Sequence, residues 1–510
     1  MTLTRREFVA PERAELSGRE AFRFRHQLIR DAAYQAIAKQ SRAELHERFA
    51  EWLETALGDR VEEFRPILGY HLEQAARYRR ELDPSDTRLA ALGAAAAQHL
   101  GEAGNGALGR GDLAAAMTLS VRAAALDVNP GGVVRWRLQA GEAMAPGGLA
   151  GGPQGALDFL VETRVLADSI GDRRSAAMAD VLALHPRVAL VSESVSVAAA
   201  DAERLRATLA DLGDVEAAAR ATLERAKLHF WAGQAQPGLE LAAGILEQPI
   251  SDGRLRDECR RWMGAFAYWG PMSTDDAIRL VTRLQADLED PRSFGALRLS
   301  RNLGGLLGMQ GRFDEAREVL ERERQSWQRL GDVVHLASLE AHFMSPMERL
   351  AKNFGESIEL SRRGLAAMIQ LGSVGFANTA AAELSRALLE DGQLAEAEVA
   401  AQQAIELGGD DDPAAVPEAL GVLARIAAGR GQHAEAERLV RRAIEILALT
   451  DALDRQGDAA FDLGEVMLLA GREDEAEAAL EAALSQYQRK DHRVGVKRTE
   501  ARLEEIRASG

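Results

Sequence analysis

Four decapeptides in the C-terminal half of the chain are near copies of one another. GRFDEAREVL starts at Gly311, GQLAEAEVAA at Gly392, GQHAEAERLV at Gly431 and GREDEAEAAL at Gly471, and KNFGESIELS from Lys352 fills the one gap. The steps between them are 41, 40, 39 and 40 residues. A unit of that size cannot bury its apolar face alone. Such a period therefore limits the chain to architectures in which one supersecondary unit stacks on the next. Followed backwards, the period meets GPMSTDDAIRL near Gly270, GQAQPGLELA at Gly233, GGPQGALDFL near Gly151 and GDLAAAMTLS at Gly111. Near position 192, in VSESVSVAAADAERL, the signature is poor.

The spacing inside the unit predicts two helices and a tight turn. Seven residues before the turns stand small residues: Gly104, Ala226, Ala265, Gly304, Ser345, Ser385, Ala424 and Gly464. Five residues after them stand Ala116, Ala156, Gly238, Ala277, Ala316, Ser357, Ala397, Ala436 and Ala476. Small side chains at both places let paired helices cross closely. Leu303, Leu384, Leu423 and Leu463 recur on one stripe. The turn glycine ends the first helix, and acidic residues after it suit the positive end of the second. The connectors recur as well, as IGD at Ile170 and LGD at Leu212 and Leu330.

These features resemble the tetratricopeptide family, whose motif carries two small residues twelve positions apart. The longer period of about 40 is similar to that of the superhelical sensor domains of bacterial regulatory ATPases. The resemblance implies an all-α fold: a tetratricopeptide-like α-solenoid, a right-handed superhelix of helical hairpins with a concave binding surface. It places about ten hairpins over residues 96–490 and a capping helix over 491–510, after a different segment over 1–95.

Composition narrows the function. The chain has 510 residues, 46% hydrophobic but only 5% aromatic, with 14 prolines, a mixture that favours helix over sheet. A net charge of −17 opposes binding to nucleic acid or anionic lipid. No apolar run approaches a membrane span, and the N-terminal stretch has no apolar signal region, so a cytoplasmic location is expected. The single cysteine, Cys259, can form no internal disulfide.

Catalytic motifs are missing where chemistry would require them. The five lysines follow Ala38, Ala226, Ala351, Arg489 and Val496, so no Gly-Lys, and hence no phosphate-binding P-loop, is present. Gly104, Gly106 and Gly109 spell G-x-G-x-x-G, but between helical patterns rather than between strand and helix. No nucleophile elbow or H-E-x-x-H helix occurs. His335 and His342, the closest histidine pair, have no third ligand at metal spacing. The sequence predicts a non-enzyme with no metal and no cofactor.

Residues 21–54 read as two amphipathic helices divided near Lys39 to Ser41, with Ser41 and Glu44 as a capping box. Arg5, Arg6, Arg13, Arg19, Arg23, Arg25 and Arg30 make this end basic, although Glu7, Glu12, Glu15 and Glu20 offset them. FRFRHQLIRDAAYQAI, RAELHERFAEWLE and ILGYHLEQAARYRREL resemble a segment of large bacterial multidomain signal-transduction ATPases, many of them fused to class III adenylate or guanylate cyclase domains. In that family the segment closes a winged-helix module just before a tetratricopeptide arm. The resemblance implies a sensor or scaffold arm that binds a protein, a peptide or a small-molecule effector, with an ATPase in cis or in trans. The alternative is a fragment of a longer ATPase, adenylate cyclase or transcriptional regulator whose catalytic domains lie outside this sequence.

In tetratricopeptide arrays the first helix of each unit lines the concave face. That register turns Arg220, Lys227, Phe230 and Trp231 inward, then Trp262, Phe266 and Trp269, then Arg298 and Arg301, and finally His342. Aromatic faces beside fixed cations suit an acidic peptide, a terminal carboxylate or a flat anion.

Overall fold

The computed structural model describes residues 8–13, 20–145, 151–190, 194–288, 293–372, 374–408 and 412–509. Residues 191–193 of the stretch near position 192, and Arg5, Arg6 and Arg19 of the basic N-terminus, lie outside them. The chain divides into two units, Met1–Leu149 with Gly155–Leu182 and Ala150–Gln154 with Ala183–Gly510.

Within the repeats the turn glycines do what the period requires. Gly111, Gly233, Gly311, Gly392, Gly431 and Gly471 all have φ between 70° and 82°. The left-handed residue closes each first helix with paired backbone bonds, as in Gly311 N to Gly308 O (2.9 Å) and Arg312 N to Leu307 O (2.9 Å). The connectors repeat the device at Gly171, Gly213, Gly331 and Gly372. Lys352 takes the same conformation, φ 61°, where KNFGES replaces the glycine. The close crossings follow. A Cβ on Gly304 would lie 2.5 Å from Leu320, and Ser345 Oγ instead bonds Ser357 and Ser361 across its crossing (2.8 and 2.7 Å). Ala116, Ala156, Ala277, Ala316, Ala397, Ala436 and Ala476 are fully buried.

The first unit opens with an antiparallel ribbon, β1 (Val9–Arg13) and β2 (Glu20–Phe24), which pairs Val9 with Phe24. The ribbon corrects the reading of a helix from residue 21. Helices Gln27–Ala36, Lys39–Leu57 and Val61–Leu82 follow. Ser41 is not a cap: the second of these helices begins at Lys39 behind Ala38, so Ser41 sits inside its first turn. His46 and Tyr34 tie the group together, with Tyr34 Oη 2.8 Å from His46 Nε2 and His46 Nδ1 2.8 Å from His71 Nδ1. Helices Leu89–Gly109 and Leu113–Leu126 then form the first repeat hairpin.

In the second unit, helix Val195–Asp211 precedes seven hairpins. Their first helices are Val215–Trp231, Gly253–Trp269, Phe294–Met309, Val333–Leu350 (interrupted by a π turn, Glu340–Met344), Val374–Glu390, Val416–Gly429 and Leu453–Leu469. One turn departs from the pattern. Gly270 is extended, φ −93°, so although its amide donates to Phe266 O (2.9 Å), the left-handed turn that would meet the carbonyls beyond Phe266 does not form. Lys490 meets them instead, from 220 residues away. Its Nζ donates to Ala267 O (3.3 Å), Tyr268 O (2.8 Å) and Gly270 O (2.5 Å). Two further contacts join the same parts of the unit. Asp451 accepts from the amides of Ala235 (2.9 Å) and Gln236 (2.7 Å), and Asp491 accepts from Gln310 Nε2 (2.7 Å). The superhelix of this unit thus returns on itself within one turn.

Among the described residues no helix is long and apolar enough to cross a membrane.

Candidate functional site

The small residue of each first helix fixes which side chains face the inside. Two positions before it and one after it fall Glu224 and Lys227, Asn302 and Gly305, Glu383 and Arg386, and Asp462 and Glu465. On helix Val215–Trp231 the inward cations are neutralised. Arg220 donates to Glu258 Oε2 (2.6 Å), and Lys227 Nζ donates to Glu224 and to Glu258 Oε1 (both 2.7 Å). Arg261 shares the same Glu258 carboxylate at 3.4 Å.

An aromatic run continues from these charges. Phe230 sits 5.4 Å from Trp262 and 5.9 Å from Trp231, ring centre to ring centre. Trp231 meets Phe376, from a helix four hairpins on, at 5.8 Å, and His185 at 5.5 Å. Arg261 lies over the Trp262 ring at 5.2 Å, with Lys227 at 5.9 Å. The indole N–H groups of Trp231 and Trp262 are buried with no hydrogen-bond acceptor. Arg298 comes next, on helix Phe294–Met309. Burial, then the like charges of Arg301 and Arg261, pull its pKa well below the ordinary arginine value.

The structure therefore brings together Lys227, Phe230, Trp231 and Trp262, with Arg220 behind them, and no contact joins Arg298 to them among the described residues. Three expected residues serve other ends. Phe266 is only 1% exposed and packs against Gly238, since helix Gly253–Trp269 is turned so that Ala265 stays partly exposed and Phe266 joins the core. Arg301, also 1% exposed, is a buried ion pair: its Nε lies 2.8 Å from Glu323 Oε1, which also accepts from Trp327 Nε1 at 2.8 Å. Trp269 carries Arg455 over its ring at 4.7 Å and so belongs to the closure of the superhelix. His342 lies on the π turn, with Nε2 3.1 Å from Phe376 O and 2.9 Å from Thr379 Oγ1. Cys259 is buried, and burial pushes its thiol up to about 12.

Sequence reasoning missed Glu258, Arg261, Phe376 and a second set of inner charges. Arg349 donates to Glu383 (2.8 Å), and Arg386 meets Asp462 through two bonds of 2.8 and 2.7 Å. For Glu383, Arg386 and Asp462 the signal was a charge two before or one after the small residue of the helix; Arg349, four after Ser345, had no such mark. Beside them Arg386, Pro417, Glu418, Leu447, Arg455, Asp458 and Ala459 line a small recess.

Histidine burial makes the second unit acid-sensitive. His335, His342 and His492 are each held down to about 4, chiefly by burial. Unfolded histidine titrates near 6.5. Between the two values the unfolded chain binds more protons, so stability is full above pH 6.5 and falls as the pH drops towards 4. Thermal melts should show a clear loss between pH 7 and 5. His342→Gln should flatten that slope by up to about 1.4 kcal/mol per pH unit. An unchanged slope would mean that His342 is protonated in the folded chain.

The chain matches no protein-family model and no curated protein sequence. Among solved structures it is similar to a chain of the APC/C hetero-tetramer Cut9–Hcn1, at 14% identity and a TM-score of 0.52, over 93% of this chain and 92% of that one. It is also similar to the Rap protein complexed with Competence and Sporulation Factor, at 14% identity and 0.41, over 65% and 98% of the two chains. NprR in complex with its cognate peptide NprX aligns at 13% identity and 0.40, over 57% and 82%. At such identities the likeness is one of fold: the chain is a tetratricopeptide-like α-solenoid.

Proposed function

We propose that this chain is a non-enzymatic, cytoplasmic binding module. It takes a protein, peptide or small effector on the inner face of helices Val215–Trp231, Gly253–Trp269 and Phe294–Met309. One observation carries the reading: the buried indole N–H groups of Trp231 and Trp262, on two successive first helices, have no acceptor, and Arg261 and Lys227 lie over the Trp262 ring. Buried donors are ordinarily paired, and an unpaired one costs about 1–3 kcal/mol, so a cluster of them marks a place where a ligand supplies the acceptors. The Cut9 chain, which shares the fold, is seen in a complex with Hcn1.

The finer reading is the sensor or scaffold arm of a bacterial signal-transduction ATPase, of the kind often fused to adenylate or guanylate cyclase domains. It rests on the three N-terminal segments from Phe22 to Leu82, and is supported by a β ribbon directly before helix Gln27–Ala36, as a winged-helix module would have. Ligand would act by favouring one conformation of the solenoid over another.

Thermal-shift screening against peptide pools, nucleotides and cytosolic fractions tests the binding role. A ligand of the inner face should lose about 1.4 kcal/mol or more, tenfold in affinity, when Trp262→Phe removes the indole N–H. The same ligand should be indifferent to Val399→Ala on an exposed surface. Ligands insensitive to Trp262 would place binding elsewhere, and the absence of any ligand would sink the reading.

A further inference from the structure

Helix Gln27–Ala36 has no buried residue, and its Leu28 is 81% exposed. Among the described residues, polar contacts tie it to the helices that follow at two points. Arg42, on helix Lys39–Leu57, donates to Gln35 O (2.7 Å) and Ile37 O (2.8 Å). Tyr34 reaches further in, with its Oη 2.8 Å from His46 Nε2 and 3.0 Å from Tyr78 Oη. His46 is itself buried, and its Nδ1 lies 2.8 Å from Nδ1 of His71, on helix Val61–Leu82. Three helices thus meet in one hydrogen-bonded chain, Tyr78–Tyr34–His46–His71.

Two Nδ1 atoms at that distance hold one proton between them, since one imidazole donates and the other accepts. When both rings are protonated, N–H faces N–H and the bond is lost. Even the first added proton meets no free acid. From helix Gln27–Ala36 the pair meets Tyr34, while Asp31 is bound by Arg30 (2.7 Å). Helix Lys39–Leu57 contributes Arg42, which lies over the Tyr34 ring at 4.8 Å, and Glu47, which Arg79 holds. Helix Val61–Leu82 contributes Tyr70, 6.2 Å from the His46 ring, and Arg77, 4.6 Å over the Tyr78 ring. Its Glu73 is held by Arg122 and its Glu81 by Lys39 (2.9 Å). On helix Leu89–Gly109, His99 turns to Glu54 (4.0 Å). Burial, then the charges of His71 and Arg77, hold His46 down to about 4, and burial lowers His71 as well.

We infer that the His46–His71 pair is a proton-operated latch: neutral, it holds Tyr34 and keeps helix Gln27–Ala36 and its β ribbon docked, and protonated, it releases them while the helices beneath stay folded. The latch is independent of any ligand of the inner face. Its sign follows from linkage. A released histidine titrates near 6.5 and the docked His46 near 4, so the released form binds more protons. Docking is therefore full above pH 6.5 and weakens as the pH falls towards 4, by up to about tenfold per pH unit for each histidine. Release uncovers no apolar core of the helix, because the helix buries none.

Hydrogen exchange of the whole chain, read by mass spectrometry over residues 27–37 and 89–109 and corrected for intrinsic pH dependence, tests the latch. Between pH 7 and 5 the opening of 27–37 should rise about tenfold or more, while 89–109 keeps its protection. His46→Gln should reduce that rise by about tenfold, and His71→Gln should reduce it too. Tyr34→Phe, which cuts the tie and leaves both histidines, should open 27–37 already at pH 7. No rise, or a rise unchanged in both histidine variants, would overturn the latch. Loss of protection over 89–109 at the same pH would make the event unfolding of the whole group and overturn it as well. If His46→Gln does not fold, His71→Gln, at a partly exposed position, decides alone.

Discussion

Replacing Lys490 by methionine is expected to destabilise the second unit by about 3 kcal/mol and to make its urea transition shallower. The side chain is 0% exposed, and its ammonium is the partner of three backbone carbonyls at the end of helix Gly253–Trp269. Methionine fills the space but leaves those carbonyls buried and unpaired, at about 1–3 kcal/mol for each group that water cannot reach. The shallower transition has a separate origin. In an open solenoid each repeat touches only its neighbours, so cooperativity falls off along the array. Here Lys490, Asp451 and Asp491 tie the array to repeats 181–223 residues earlier. Those ties make the unit unfold as one body. Cutting them allows the end repeats to melt first, which equilibrium urea melts followed by circular dichroism and by indole fluorescence would separate. Coincident transitions with an unchanged midpoint would show that Lys490 holds nothing together.

Why could the sequence not reveal this closure, when it revealed so much of the repeat? The turns were legible because left-handed backbone needs glycine, and Gly311, Gly392, Gly431 and Gly471 announce it. Lys352 was legible by period alone, since its neighbours keep the pattern while it accepts a φ of 61°. The close crossings were legible because Ala and Ser at fixed offsets leave no other use for a small residue. The return of the superhelix depends on the accumulated rotation of between five and six repeats, which no single repeat encodes. Gly270 shows the consequence. It looks like another turn glycine, yet it is extended, and its unmet carbonyls find a lysine 220 residues away. The neighbourhood of Lys227, Phe230, Trp231 and Trp262 was legible from helical spacing. Phe266 was misplaced because Ala265 was taken as the small residue of its helix; the close approach is made by Gly264 instead, where a Cβ would lie 2.4 Å from Leu299. The N-terminal strands escaped because a five-residue EAFRF next to a strongly helical run carries too little pattern of its own.

Asp462→Ala should cost about 3–5 kcal/mol, the price of leaving a buried partner charge alone. Asp462 is 1% exposed and Arg386 5% exposed, and they meet through two parallel bonds across the helix of the intervening repeat. That helix can pass beneath them only because residue 421 is glycine: a Cβ there would lie 2.2 Å from Asp462 Oδ2 and 3.1 Å from the Arg386 guanidinium. Gly421→Val should therefore break the same pair without touching either charge. A double variant, Arg386→Met with Asp462→Leu, should recover most of the lost stability, because two apolar side chains leave neither buried partner alone and give up only the looser contacts of Arg386 with Glu418 (3.7 Å) and of Asp462 with Arg425 (3.8 Å). Chemical denaturation of the three proteins decides the matter, and a double variant as unstable as Asp462→Ala would mean that the pair contributes more than mutual neutralisation. Arg301, Arg349 and Arg386 each face inward and each has a carboxylate within 2.8 Å, so mutual neutralisation of this kind recurs along the interior of the unit, and the same pair of substitutions at Arg349 and Glu383 should repeat the pattern.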